Sequence, residues 1–369
     1  MLIFPKRFLF EMFQEVFRKF SYGFFTLFGV VTAVFFLFNI LPGDPARMVL
    51  DERQDSELLE SVRKKYGFDQ PLGVQYFYYL NDLSPISLHS KEKGSYSSLQ
   101  SHDYSTLLKI DFGGVNLVLK TPYLRQSFQK NGKPVSRIIA ETLPNTAILA
   151  SVAIGLSLLF GILLGILSAL YKDRFFDRFV AVLSTVGMSV PSFLSAILFA
   201  WIFGFVLKKY TGLNMTGSLH EVDDFGEGIY IQWKNLILPA LVLGIRPLAV
   251  VIQLMRNSLL EVLHQDYIRT AKAKGLSSFQ IVKRHALKNA LNPVVTAISG
   301  WFASMLAGAV FVEYIFNWNG LGKEIVDALN TLDQPVIMGA VLVIASLFVL
   351  INIVVDAMYS WLDPKVRLG

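Results

Sequence analysis

Three ionisable residues of this sequence stand inside or at the ends of runs that are otherwise apolar: Arg246, Glu313 and Asp356. An Arg at the centre of a helix in lipid costs about 2.5–3.5 kcal/mol on insertion scales, so each such residue needs water, a partner or a ligand. A guanidinium can grip a carboxylate with two parallel hydrogen bonds. Arg246, directly before Pro247, therefore either faces water and attracts a ligand's carboxylate, or pairs with a carboxylate or helix-end carbonyls of protein. Glu313 and Asp356 lie nearer the ends of their runs, where interfacial, packing and gating roles are all open.

Other chemistry is excluded by pattern. The chain has no Cys, which removes disulfides, thiolate metal sites and Cys nucleophiles. His89, His102, His220, His264 and His285 have no ligand spacing on one helix face, so no metal site is expected. Ser299-Gly300 lacks the flanking glycine pattern of a nucleophile elbow. No Gly-rich loop ending in Lys-Ser or Lys-Thr occurs, so the chain is expected neither to hydrolyse a nucleotide nor to be an enzyme of another kind.

The elements that hold these residues are dictated by composition. Of 369 residues 53% are hydrophobic and 17% charged, and the mean hydropathy is +0.48. The formal charge of +6 is spread between apolar runs and not gathered on a separate domain, which argues for membrane orientation and against nucleic acid. Six runs, 22–41, 143–170, 179–207, 236–255, 293–316 and 336–362, can cross a hydrocarbon core of about 30 Å as helices. An open sheet could not, because its edge groups would go unpaired in lipid. The fold expected is an all-α polytopic membrane protein with six transmembrane helices. Pro191 and Pro247 inside these runs free backbone carbonyls and mark hinges or fixed kinks.

Lys and Arg concentrate in 1–21, 171–178, 256–292 and 363–369 and are sparse in 208–235 and 317–335, which places both termini in the cytoplasm. Residues 1–21 then read as an amphipathic helix on the cytoplasmic surface, 22–41 as the first span, 42–142 as a long external segment, 143–362 as the core of spans and 363–369 as a cytoplasmic tail. Within the external segment a helix capped by Asp55 or Ser56 should run to Lys65 and stop at Gly67. Residues 74–80 offer aromatic groups to the membrane surface, and the Ser, Lys, His and Gly of 84–105 suggest a mobile loop.

The cytoplasmic stretch 256–292 is long for a simple connection, and its apolar spacing is helical on both sides of Gly275. Gly275 tolerates the positive φ that ends one helix, and Ser277 or Ser278 can cap the next. Ala271 and Ala273 leave small surfaces, while Tyr267, Ile268 and Leu276 supply apolar knobs, so this elbow could insert into a groove on another protein.

The run Asp266-Tyr267-Ile268-Arg269-Thr270-Ala271-Lys272-Ala273-Lys274-Gly275, with Arg284 through Ala290 after it, resembles the coupling loop of ABC importer permeases in the form found in peptide permeases. Leu41-Pro42-Gly43-Asp44-Pro45, Tyr66 to Pro71, Glu141 to Thr146, Glu313 with Asn319-Gly320-Leu321-Gly322, and Asp356 through Arg367 are similar to that family in the same order. The resemblance covers the chain apart from about 84–135. It implies a bacterial inner-membrane permease of a peptide importer, paired with a second, homologous permease and served by an external substrate-binding protein. Two cytoplasmic ATPases would bind the ATP, leaving this chain without a cofactor, and would engage Asp266, Tyr267, Ile268, Arg269, Thr270, Ala271, Lys274, Gly275 and Leu276. Ala271 and Gly275 match the loop's best-marked small positions, whereas Arg269 stands where the general pattern has a glutamate. On this view Arg246 would meet a peptide carboxylate. The rival readings are a secondary transporter driven by an ion gradient, which calls for mid-membrane carboxylates and paired repeats, and an intramembrane enzyme, which calls for a nucleophile with its base or a metal cluster.

Overall fold

The computed structural model describes residues 6–362 except 41–59, 62, 65, 93, 94, 100, 101, 103 and 223–227. It falls into two compact units, residues 1–141 with 324–346 and residues 142–323 with 347–369.

In the first unit, helix α1 (Lys6–Ile40) passes residue 22 without a break, although the sequence suggested a boundary there between a surface helix and a span. The cap expected at Asp55 or Ser56 lies outside the described residues. Gly67 does close the turn before it, at φ +72°, with the Phe68 N–H donating to the Arg63 carbonyl at 2.8 Å. Helix α2 (Leu72–Leu83) follows Pro71, whose ψ of 145° is extended. Its aromatic residues were expected on the membrane surface, yet Tyr76 and Tyr79 face α1. The Tyr76 and Thr32 hydroxyls are 2.6 Å apart, and Phe35 packs against both tyrosine rings with centroids at 5.2 and 5.6 Å.

The segment expected as a mobile loop contains strand β1 (Ile86–Ser90), which pairs antiparallel with β3 (Val115–Lys120), itself paired with β2 (Thr106–Phe112). The chain is thus helical in its apolar runs, with short strands in the connections between the first and second and between the third and fourth. Gly113, at φ +60°, and Gly114 make the two-residue turn from β2 to β3. Asn81 of α2 clamps the outer strand: its Oδ1 accepts the Leu88 N–H at 2.8 Å, and its Nδ2 donates to the Leu88 carbonyl at 2.9 Å.

The sheet is inside out by the ordinary pattern. Ile86, Leu88, Leu108, Ile110, Phe112 and Leu119 are exposed on one face, while Ser87, His89, Asn116 and Lys120 are buried on the other. The polar face is organised by Asp82, buried at 1% exposure. Its carboxylate accepts from the Tyr96 hydroxyl at 2.8 Å, the Tyr104 hydroxyl at 2.9 Å and Arg125 Nε at 3.0 Å, and its carbonyl accepts from Lys120 Nζ. Burial pushes the Lys120 ammonium down to about 8 and the Tyr79 phenol up to about 12.

The second unit is helical apart from a short antiparallel ladder between His220–Val222 and Ile229–Ile231. Helix α3 (Val135–Leu170) enters it and is followed by α4 (Phe175–Ser189) and α5 (Ser192–Phe199), which a π-helical stretch, Ala200–Val206, extends. The expected single span over 179–207 is two helices meeting at 109°. The cause is local: Pro191 disfavours helical backbone at the residue before it, and Val190 accordingly sits at ψ 129°. Helix α6 (Lys234–Leu263) carries Pro239 and Pro247 without interruption. Next come the short α7 (Asp266–Ala273), a helical run over 278–290, α8 (Asn292–Gly308) and α9 (Val310–Phe316), the last two bent by 56°. Helices α10 (Leu321–Asn330) and α11 (Gln334–Leu362) close the chain. Among the described residues four helices are long and apolar enough to cross a membrane, or six if each bent pair is one crossing.

Close contact between α3 and α6 depends on missing side chains. A Cβ on Gly165 would lie 2.7 Å from that of Met255, and one on Gly244 would lie 2.8 Å from Ser157 Oγ. Ser157 uses the room to donate to the Gly244 carbonyl at 2.8 Å. Around this contact Leu149, Ala153, Leu238, Val242, Phe316 and Trp318 form one core, while Met255, Leu259 and the elbow residues form another.

Candidate functional site

The elbow after α6 is built as the sequence suggests, but its faces are assigned differently. Gln265, with ψ 150°, starts α7, and the Asp266 carboxylate at its first position favours the positive helix end. The Asp266–Arg269 contact of 3.3 Å is solvent-exposed and contributes little. Gly275 ends the helix at φ +81°, its N–H donating to the Lys272 carbonyl at 2.9 Å. A Cβ there would touch nothing within 4 Å, so the position requires Gly for its backbone and not for space. Ser277 then caps the next helix reciprocally with Gln280: the Gln280 N–H donates to Ser277 Oγ at 3.4 Å, and the Ser277 N–H to Gln280 Oε1 at 3.0 Å.

Ile268 and Ala271, expected to be among the surfaces offered to a partner, turn inward. They are three residues apart on one helix face, and they pack with Leu259, Ile281, Ala286 and Ala290. Leu276 is half-buried against the same core. Tyr267 stays exposed, its hydroxyl accepting from Asn289 Nδ2 at 2.9 Å across the elbow. The outward surface includes Asp266, Tyr267, Arg269, Thr270, Lys272, Ala273, Lys274 and Gly275, joined by Phe279 at 72% exposure with Lys283 Nζ 5.9 Å from its ring. Sequence reasoning missed Phe279; an aromatic residue among basic and polar neighbours just after a cap was the available signal.

At the root of the elbow lies a second feature the sequence did not disclose. Asp177, buried at the start of α4, accepts from Arg256 Nε at 2.6 Å and Nη2 at 2.7 Å, from the Asp173 N–H at 2.9 Å and from Ser168 Oγ. Its partner is 79 residues away in the chain, a separation that no local pattern encodes. A buried, bidentate pair with its remaining lone pairs filled is the strong form of this interaction.

The remaining candidates are scattered. Arg246 is exposed and lines a cavity of about 120 Å³. The cavity brings it together with Pro247 and with Val190 and Ser192, the two neighbours of Pro191. Among the described residues Arg246 has no hydrogen-bond or ion-pair partner. Glu313 is fully buried within the protein: its Oε2 accepts the N–H groups of Gly322 at 2.7 Å and Lys323 at 3.1 Å, capping α10. A Cβ on Gly320 would fall on that carboxylate, which accounts for the glycine there. Asp356 belongs to α11, and its side chain lies outside the described residues. Among the described residues no group of three or more His, Asp or Glu could hold a metal ion.

Residues 161–368 match the family described as binding-protein-dependent transport system inner membrane component, and residues 12–95 match the N-terminal membrane component of such systems. The dipeptide transport system permease protein of Alkalihalophilus pseudofirmus is 32% identical over 92% of this chain and 95% of its own length. The glutathione transport system permease protein of Salmonella choleraesuis is 34% identical over 93% of this chain and 95% of its own. Among solved structures, the inward-facing MetNI methionine ABC transporter matches with TM-score 0.47 and 14% identity over 62% of this chain and 97% of that one. The chain belongs to the family of inner membrane components of binding-protein-dependent transport systems, a transport component and not an enzyme.

Proposed function

We propose that this chain is the permease subunit of an ABC importer for peptides, and that the elbow over 266–276 is where a cytoplasmic ATPase grips it. In this reading a second, homologous permease completes the pathway, two ATPases bind the ATP, and an external binding protein delivers the substrate. The chain spans the bacterial inner membrane with both termini in the cytoplasm. Peptides are the substrate class because relatives at 32–34% identity carry dipeptide and glutathione permease names. A binding-protein-dependent family is poor company for an ion-gradient-driven transporter.

One observation carries the coupling role. The elbow's outer surface is charged and exposed, while Ile268 and Ala271 fix its inner surface to the same core as Met255 and Leu259 of α6. A push on the outside is therefore delivered to a long helix through close-packed contacts instead of being lost in a flexible loop. Gly275→Val tests the assignment, because a β-branched residue at φ +81° distorts the elbow without meeting a neighbour. The expected result is a chain that inserts and assembles with its partner permease but retains less than about a tenth of its ATPase and of its ATP-driven uptake. Wild-type uptake by that variant would refute the role.

A further inference from the structure

We infer that the cavity beside the Pro191 break is a subsite for the carboxylate end of a peptide, with Arg246 as its anion-binding residue; this rests on the peptide-importer reading above. A guanidinium within a span region needs a counter-charge or water. Among the described residues none supplies the counter-charge, and the cavity lining contains no Asp or Glu. The lining offers donors instead. Arg246 brings up to five N–H groups, and Ser192, Ser195 and Ser304 bring hydroxyls that, among the described residues, are engaged in no hydrogen bond; Trp301 adds an indole N–H.

A donor-rich, carboxylate-free hollow is complementary to a planar anion with four lone-pair sites. Size narrows the group further. A cavity of about 150 Å³ holds one benzene, so about 120 Å³ accommodates an end group with its α-carbon and not a whole peptide. Three separate stretches of chain form the wall: the break around Pro191, the Pro247 turn of α6, and α8 through Trp301 and Ser304. Reorientation at the break would therefore alter the cavity directly.

The test uses the complete complex of this chain, its partner permease, ATPases and binding protein in liposomes. Uptake of a defined mixture of alanine, glycine and leucine di- and tripeptides is compared for free-acid and C-terminally amidated forms. Arg246→Gln is expected to lower uptake of the acids at least about tenfold and of the amides less than about twofold, the loss typical of a charged hydrogen bond. Equal loss for both forms, or failure of the variant complex to assemble, would overturn the subsite.

A second measurement does not depend on the binding protein. Because the chain lacks cysteine, Ser304→Cys introduces a single thiol beside Arg246, read on this chain by mass spectrometry. It should react several-fold faster with an anionic sulfonatoethyl thiosulfonate than with a cationic trimethylammonium one, and Arg246→Gln should erase that preference. No anionic preference in the Ser304→Cys complex would overturn the subsite. If the wild-type complex takes up neither peptide form, the importer reading fails, and the thiol measurement still decides whether an accessible anion site exists.

Discussion

The elbow and the three-stranded sheet expose opposite kinds of surface. At the elbow Ile268 and Ala271 are hidden while Arg269, Thr270 and Lys274 meet solvent, whereas the sheet buries His89, Asn116 and Lys120 and leaves Leu88, Ile110 and Phe112 outside. What each region packs against decides the difference. The elbow lies on the apolar flank of α6 and therefore follows the usual helix rule. The inner face of the sheet instead meets the Asp82 hub, where a carboxylate accepts from a guanidinium and two phenols and the backbone carbonyl of the same residue accepts from an ammonium. Polar residues go inside when a hydrogen-bonded network receives most of their groups, although Asn116 Oδ1 is buried there without a hydrogen-bond partner among the described residues.

This contrast can be broken most severely at the hub. Asp82→Ala strands Arg125 without its carboxylate, while Lys120 keeps the residue-82 carbonyl, and a buried charge left alone costs about 3–5 kcal/mol. Limited proteolysis should cut 84–134 far faster in that variant while the elbow keeps its hydrogen-exchange protection; undisturbed 84–134 would show that the hub does not organise the sheet. At the elbow the corresponding failure is a cavity. Ile268→Ala should cost about 2–4 kcal/mol locally, read as faster amide exchange over 266–276 with 84–134 unaffected.

A smaller effect comes from titration. The Lys120 ammonium is held near 8 when folded and near its ordinary 10.5 when unfolded, so between these values the unfolded chain binds more protons and stability rises with pH. From pH 8 to pH 10 the sheet should gain about 2 kcal/mol of resistance to opening, and Lys120→Met should flatten that slope. The smallest expected change in stability is at Phe279. Its replacement by Ala should shift stability by less than about 0.5 kcal/mol, yet weaken ATPase co-purification several-fold. A Phe279→Ala complex that holds its ATPases as well as wild type would remove that ring from the gripped surface.

Legibility in the sequence followed the range of the interactions. The apolar runs and the elbow were readable because length, a left-handed glycine and the Ser277–Gln280 cap are local signals. The break at Pro191 was readable as a possibility, but its angle of 109° depends on packing. The sheet leaves a trace in the sequence: Leu108, Ile110 and Phe112 alternate with Lys109 and Asp111, Gly113-Gly114 follows, and Val115, Leu117 and Leu119 recur at the same period, though Val118 between them is apolar. The burial of the polar face has no local signal, because Asp82, Arg125 and Lys120 are brought together only by the fold. For the same reason the burial of Ile268, and the capture of Glu313 by α10, could not be foreseen from their own segments.

The charged pair at Asp177 and Arg256 has a mechanical consequence. With Ser168 and Asp173 it ties the end of α3, the 171–174 corner, the start of α4 and the last turns of α6 into a single bracket. On the proposed coupling role, a load arriving at Gly275 would have to pull apart two short ionic bonds to bend that mount and would otherwise travel onward as torque. Bending of the second unit would then fall at the end of α4, at the Val190–Pro191 corner, where no hydrogen-bonded helix bridges the joint.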